Sequence, residues 1–226
     1  MPTSEPLLSV RGEASRFVDP DQAELSATVE LIHDSAPGAV AAVTASVDSV
    51  RRELQRLGGV VREAFSLRQP LTWVTRRVTT SPEWGEHSRT GRTIGTASLS
   101  IFLRDFDLLA EVEPLTSSVP GLRFDHVVWE VDPVNPAWRQ VRLEAIDAAL
   151  RKARDYADAL GSSLVSVEHV ADLGLLDAEP MHGQAAAAMP AAFAYRQPES
   201  TLDPVPQQLV AAIEARFRMA PVPLNA

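Results

Sequence analysis

A chain of 226 residues with 45% hydrophobic and 23% charged residues has an ordinary globular composition and enough length for one sizeable core or two small ones. Its formal net charge of -9 argues against sequence-independent binding to nucleic acid or an anionic membrane, which needs a basic surface. The absence of cysteine excludes disulfides, thiolate nucleophiles, iron–sulfur clusters and cysteine-based zinc sites. The opening Met-Pro-Thr-Ser-Glu-Pro has neither a basic region nor an apolar one, so no signal peptide is expected. No apolar run approaches the roughly 20 residues of a membrane span, and the expectation is a soluble, cytoplasmic protein.

Leu8, Val10, Gly12 and Ala14 alternate with polar neighbours, and Ala23, Leu25, Ala27, Val29 and Leu31 do so again after an Asp19-Pro20-Asp21 turn. Two alternating runs around a turn predict a β-hairpin with one buried face. From Pro37 to Leu57 the apolar spacing becomes helical (Val40, Val43, Val47, Val50, Leu54), and Gly58-Gly59 closes that helix. Val60–Leu67, Leu71–Thr79 and Thr93–Leu103 are rich in strand formers, with Ser81–Arg92 as a polar connection before the last. Asp105 caps a predicted short helix over Phe106–Ser117, Pro120-Gly121 makes a turn, and Phe124–Val131 reads as a strand.

The segment that follows carries the firmest local signal. Asn135 suits an N-cap, Pro136 the first helical position, and Gly161 the left-handed residue beyond a helix end. Leu143, Ile146, Leu150, Ala153, Ala157 and Leu160 between them form an apolar stripe, which predicts a long helix packed on a sheet. Strands at Leu164–Val170 and Leu209–Met219 complete the order β-β-α-β-β-β-α-β-α-β-β. Hairpins interrupted by helices indicate an α+β fold, with mostly antiparallel sheets and helices packed on one face. One domain is expected over residues 7–219, with flexible termini at 1–6 and 220–226. A Pro/Ala/Met-rich insertion over 174–205 falls outside the core pattern. It contains Met189, Phe193 and Tyr195 and is expected to be either a mobile loop or an arm that packs on a partner.

Taken in order, these motifs resemble the SIMPL-domain family. The helix matches its pattern through Arg142, Ala145, Ala149, Lys152, Ala153, Ala157, Leu160 and Gly161. Val10-Arg11-Gly12-Glu13-Ala14 through Val18-Asp19-Pro20-Asp21-Gln22-Ala23 is similar to the family's opening. Thr93-Ile94-Gly95-Thr96-Ala97-Ser98-Leu99, ahead of Arg104-Asp105, is similar to its central strand and following helix. The resemblance implies an α+β fold, self-association, and in bacterial members an association with the cell envelope. It supplies no catalytic residues.

The residues themselves offer little sign of chemistry. His33, His87, His126, His169 and His182 fall one to a segment, with no His-Glu-x-x-His or comparable ligand spacing. No phosphate-cradling glycine loop and no Gly-x-Ser-x-Gly elbow is present. Asp147–Arg151, Arg151–Asp155 and Arg154–Asp158 read as solvated pairs on the long helix. Arg51, Arg52, Arg56 and Arg62 read as cations around the end of the first helix. Arg76 and Arg77 fall on opposite faces of a strand, so with Trp73 they make a poor nucleic-acid track. The polar turn with Trp84, His87 and Arg89 is the best local candidate for a contact loop. No catalytic residue, metal site or cofactor is expected. The function expected is a self-assembling scaffold or interaction module, partnered by further copies of itself or another protein. The alternatives are a small-ligand binder or an enzyme with a dispersed site, and an envelope-associated protein.

Overall fold

The computed structural model describes residues 5–63, 68–175 and 203–222. In chain order the elements are β1 (Leu7–Val18), β2 (Gln22–His33), α1 (Ala36–Arg56), β3 (Val60–Val61), β4 (Leu71–Trp84), β5 (Arg89–Leu103), a 3-10 turn (Phe106–Leu108), α2 (Leu109–Val112), α3 (Leu115–Ser118), β6 (Leu122–Glu130), α4 (Pro136–Ala159), β7 (Leu164–Asp172) and β8 (Gln207–Met219). This is an α+β fold with mostly antiparallel sheets, as the pattern predicts. The elements fall into two compact units, one holding β1, α4, β7 and β8, the other everything from β2 to β6. None of the described helices is long and apolar enough to cross a membrane.

The first unit is a three-stranded antiparallel sheet in the order β1-β8-β7. The expected hairpin of β1 with β2 does not form. β1 pairs with β8, from Leu7 opposite Arg218 to Val18 opposite Gln207, while β2 belongs to the other sheet. Alternation shows which face of a strand is buried but is silent about its neighbour. Here the end of β6 takes the intervening turn: the Asp21 N–H donates to the Glu130 carbonyl, and Asp132 N–H donates to the Asp21 carboxylate.

Helix α4 starts and stops where its sequence says. The Asn135 side chain accepts from Ala137 N–H at 2.8 Å, and Gly161 takes φ +66°, with Ser162 N–H returning to the Ala157 carbonyl. Its buried face is rotated from the expected stripe. Val141, Ala145, Ala149, Ala153 and Ala157 are buried, whereas Leu143, Ile146 and Leu160 stay 43%, 41% and 49% exposed. Gly12 explains the rotation. A Cβ on Gly12 would sit 2.6 Å from the Ala149 nitrogen and 2.7 Å from the Ala149 Cβ, and would also strike the Ala145 carbonyl oxygen. Helix and strand approach so closely that only alanine fits between them, and the larger side chains lie on the flanks. Val10, Ile213, Ala215 and Phe217 complete this small core. The expected Asp147–Arg151, Arg151–Asp155 and Arg154–Asp158 pairs do not close among the described residues. Glu144 pairs instead with Arg16 at 2.6 Å, and Lys152 donates to the Arg11 carbonyl at 3.0 Å.

The second unit is a five-stranded sheet ordered β3-β4-β5-β2-β6, antiparallel except for the short β3–β4 pair. α1 begins at Ser35, whose hydroxyl accepts from Gly38 N–H, and ends at Gly58, where φ is +80°. It lays Val43, Val47, Val50 and Leu54 onto Leu25, Val29, Trp73, Ala97, Leu99 and Ile101. The helix expected over Phe106–Ser117 is broken into three short turns. Pro114 interrupts it, because proline has no N–H to donate and its ring clashes with the preceding turn. Of the strand expected over Val60–Leu67, Val60–Val61 is observed and residues 64–67 lie outside the described residues.

Candidate functional site

Two surfaces of the five-stranded unit concentrate polar chemistry. The first is the sheet face that α1 does not cover. In β2 the alternation that buries Ala23, Leu25, Ala27 and Val29 turns Gln22, Glu24, Ser26, Thr28 and Glu30 to this other side. Each finds a partner across the sheet. Thr28 donates to Asp125 at 2.6 Å, Ser26 meets the His126 imidazole at 3.2 Å, and Gln22 donates to Glu130 at 2.9 Å. Arg104 donates to Gln22 at 3.1 Å and pairs with the buried Asp132.

At the centre lies Arg76, which the register places at a β-bulge between Thr75 and Arg77. The bulge aims its guanidinium across β5, where it donates to Ser100 and to Glu24, each at 2.6 Å. Burial alone pushes the Glu24 carboxyl up. Hydrogen bonds from Ser100 and Arg76, with the charges of Arg76 and Arg62, outweigh it and hold the group below the usual glutamate range. The sign follows from linkage. A carboxyl depressed in the fold adds stability that is full above its ordinary pKa and is lost as pH falls through the folded value. Glu24→Gln should therefore lower the denaturation midpoint at pH 7, with a deficit that shrinks as pH falls below the ordinary glutamate range. A deficit constant with pH would remove Glu24 from this role.

Arg62 lies beside this group. Its guanidinium stacks 3.5 Å from the centre of the Phe102 ring and reaches the Thr72 hydroxyl at 3.4 Å. Burial, then the like charges of Arg104 and Arg76, lower its pKa against the opposing pull of Glu24 and Glu130. Sequence grouped Arg62 with Arg51, Arg52 and Arg56, but the structure separates them. Arg51 bonds Asp48 and Thr75, Arg52 bonds Ser49, and Arg56 bonds Glu53. The signal for the polar face was the second half of the β2 alternation, whose members are carboxylate, amide or hydroxyl side chains.

The second surface is the far end of β4 and β5. The expected polar connection over Ser81–Arg92 is shorter than predicted, because both strands continue as a ribbon to Trp84 and from Arg89. From Arg76 outward the ribbon is exposed along most of its length. Its tip is nonetheless held firmly. The Glu83 carboxylate accepts from Nε and a terminal nitrogen of Arg92, each at 2.8 Å, and from the Thr90 hydroxyl at 2.5 Å. Those hydrogen bonds, Thr90 first, draw the Glu83 carboxyl below its ordinary range, and Glu83 in turn raises Arg92. Gly85 N–H closes the turn onto the Ser88 carbonyl, and Gly91 sits at φ +85°.

Trp84, at 64% exposure, projects from this clasp with the Arg89 guanidinium 5.0 Å from its ring. His87 stands next to Glu86 at the same turn, both highly exposed. Trp84, His87 and Arg89 are thus brought to one tip. Met189, Phe193, Tyr195 and His182 lie outside the described residues. Among the described residues, no group of three or more histidines and carboxylates is arranged to hold a metal ion. The turn thus presents an exposed aromatic with a guanidinium beside it, at the end of an exposed ribbon.

The family model for SIMPL, described as a protein of unknown function (DUF541), matches residues 8–217. No curated protein matches the chain.

Proposed function

Because the chain belongs to the SIMPL family, whose function is unknown, we propose from its surfaces that it is a self-associating interaction module and not an enzyme, with the β4–β5 ribbon as its contact surface. The observation that carries this reading is Trp84, largely exposed with the Arg89 guanidinium beside its ring, on a ribbon end where Glu83 bonds Arg92 and Thr90. Tryptophan and arginine dominate the energetics of protein contacts. A two-stranded ribbon standing alone has little stability in water, so a partner laid along it adds burial that the isolated chain lacks.

Light scattering over a range of concentrations checks the proposal. The native chain should show a mass that rises above the monomer. Trp84→Ala should shift that rise to higher concentration by at least about tenfold, the size of a hot-spot loss. A strictly monomeric native chain at high concentration would end the reading.

A further inference from the structure

Strand β7 is the last of its sheet, and no strand lies beside its outer edge among the described residues. Its partners on β8 show which of its side chains face α4. Val167 lies opposite Phe217 and Val170 opposite Ala215, and both partners are buried beneath the helix. Val167 and Val170 themselves stay 58% and 53% exposed, because α4 lies over β1 and β8 and stops short of β7. The flank of α4 on that side is apolar too. Glu144 and Lys152 reach β1, through Arg16 and the Arg11 carbonyl. Ile146 and Leu150 stand two positions from them, about 200° round the helix, and so flank β7. The other face of β7 is polar. His169 lies opposite Arg216, and Glu168 bonds Arg218, on the side that the alternation of β8 turns away from α4. Glu168 accepts from Arg218 and Ser166 through Oε1 alone, and His169 makes no hydrogen bond among the described residues.

The strand is complementary to itself in one antiparallel register. Between Val167 and His169 the pairing with β8 slips by one residue, a bulge that puts Val167 and Val170 on the same face. With Val167 set opposite Val170 of a second copy, Glu168 falls opposite His169 on both sides of the axis. The two bulges then face each other, two residues against two, and the ladder stays in step. A shift of one position either way sets Glu168 against Glu168 or His169 against His169, and like charges directly opposite destabilise a sheet. We propose that β7 pairs with β7 of a second copy about a two-fold axis, giving one six-stranded sheet whose two α4 helices flank a shared apolar channel. This rests on the self-association proposed above and gives it a second surface, distinct from the ribbon. The pairing occupies the open edge, covers Val167, Val170 and Ile146 of both copies, and offers the free Oε2 of Glu168 to the imidazole opposite. Because the same strand serves both copies, the contact is isologous and closes at a pair.

The chain has no cysteine, so an introduced disulfide can read the register. Residues directly opposite across an antiparallel pair lie about 4.5–5.5 Å apart at Cα, within disulfide reach. The two copies of Val167 are offset by three residues, about 10 Å along the strands, which is beyond it. Full-length Val167→Cys and Val170→Cys chains, mixed and then oxidised, should give a cross-linked dimer on a denaturing gel. Each variant oxidised alone should stay uncross-linked. Both substitutions fall at exposed positions, and unchanged denaturation midpoints should show that the variants fold. Light scattering on the native chain is run beside them. If its mass rises with concentration but the mixture gives no cross-link, or either variant alone cross-links as readily, the β7 contact is wrong while self-association stands. A native chain that is monomeric throughout overturns both.

Discussion

Gly12→Val should destabilise the three-stranded unit by at least the upper end of the about 1–3 kcal/mol typical of overpacking. The added Cβ meets backbone, the Ala145 carbonyl and Ala149 nitrogen, so a rotamer change in a neighbour cannot relieve it. Relief requires the helix to lift off the strand, which uncovers Val10, Ile213 and Phe217 together. Hydrogen exchange should accelerate first in β1 and α4, ahead of the strands β2 and β5 of the other unit. Ala149→Leu attacks the same contact from the helix side and should fall in the same range. Unchanged exchange in β1 and α4 for Gly12→Val would mean that the close approach is wrongly placed.

The second large effect separates two tryptophans on one strand. Trp73 is 2% exposed, packed under α1 with Leu25, Leu71 and Ile101, and Trp73→Ala should cost roughly 3–5 kcal/mol in a denaturant titration. Trp84, eleven positions on, is exposed on the ribbon and buries nothing in that core. Its replacement should leave stability within about 0.5 kcal/mol and act on assembly instead. Comparable destabilisation by both substitutions would show that the ribbon tip is part of the fold.

How far the sequence could be read followed the range of the interactions involved. Caps act over two or three residues, so Asn135, Pro136 and Gly161 marked α4 correctly, and Gly58 marked the end of α1. The phase of α4 depends on Gly12, more than a hundred residues away. Side-chain size alone favoured the leucines, and the close contact reversed the choice in favour of alanine. Strand pairing failed for the same reason, since β1 and β8 lie at opposite ends of the chain. The polar tip with Trp84, His87 and Arg89 was legible because a turn is local. Arg76 and Arg62 were not, because a bulge and a cross-strand ring decide where their guanidinium groups lie.

The alanine face of α4 also leaves a degeneracy. Ala145, Ala149, Ala153 and Ala157 recur every four residues, so a helix displaced along its axis by about 6 Å presents nearly the same surface to the sheet. Small, identical side chains give close approach but almost no vernier. Position along the axis must then come from features that do not repeat: the Glu144–Arg16 pair and the Lys152 bond to the Arg11 carbonyl. Polar contacts at the margins, worth little as stability, thereby select one register from several that the apolar core would accept almost equally.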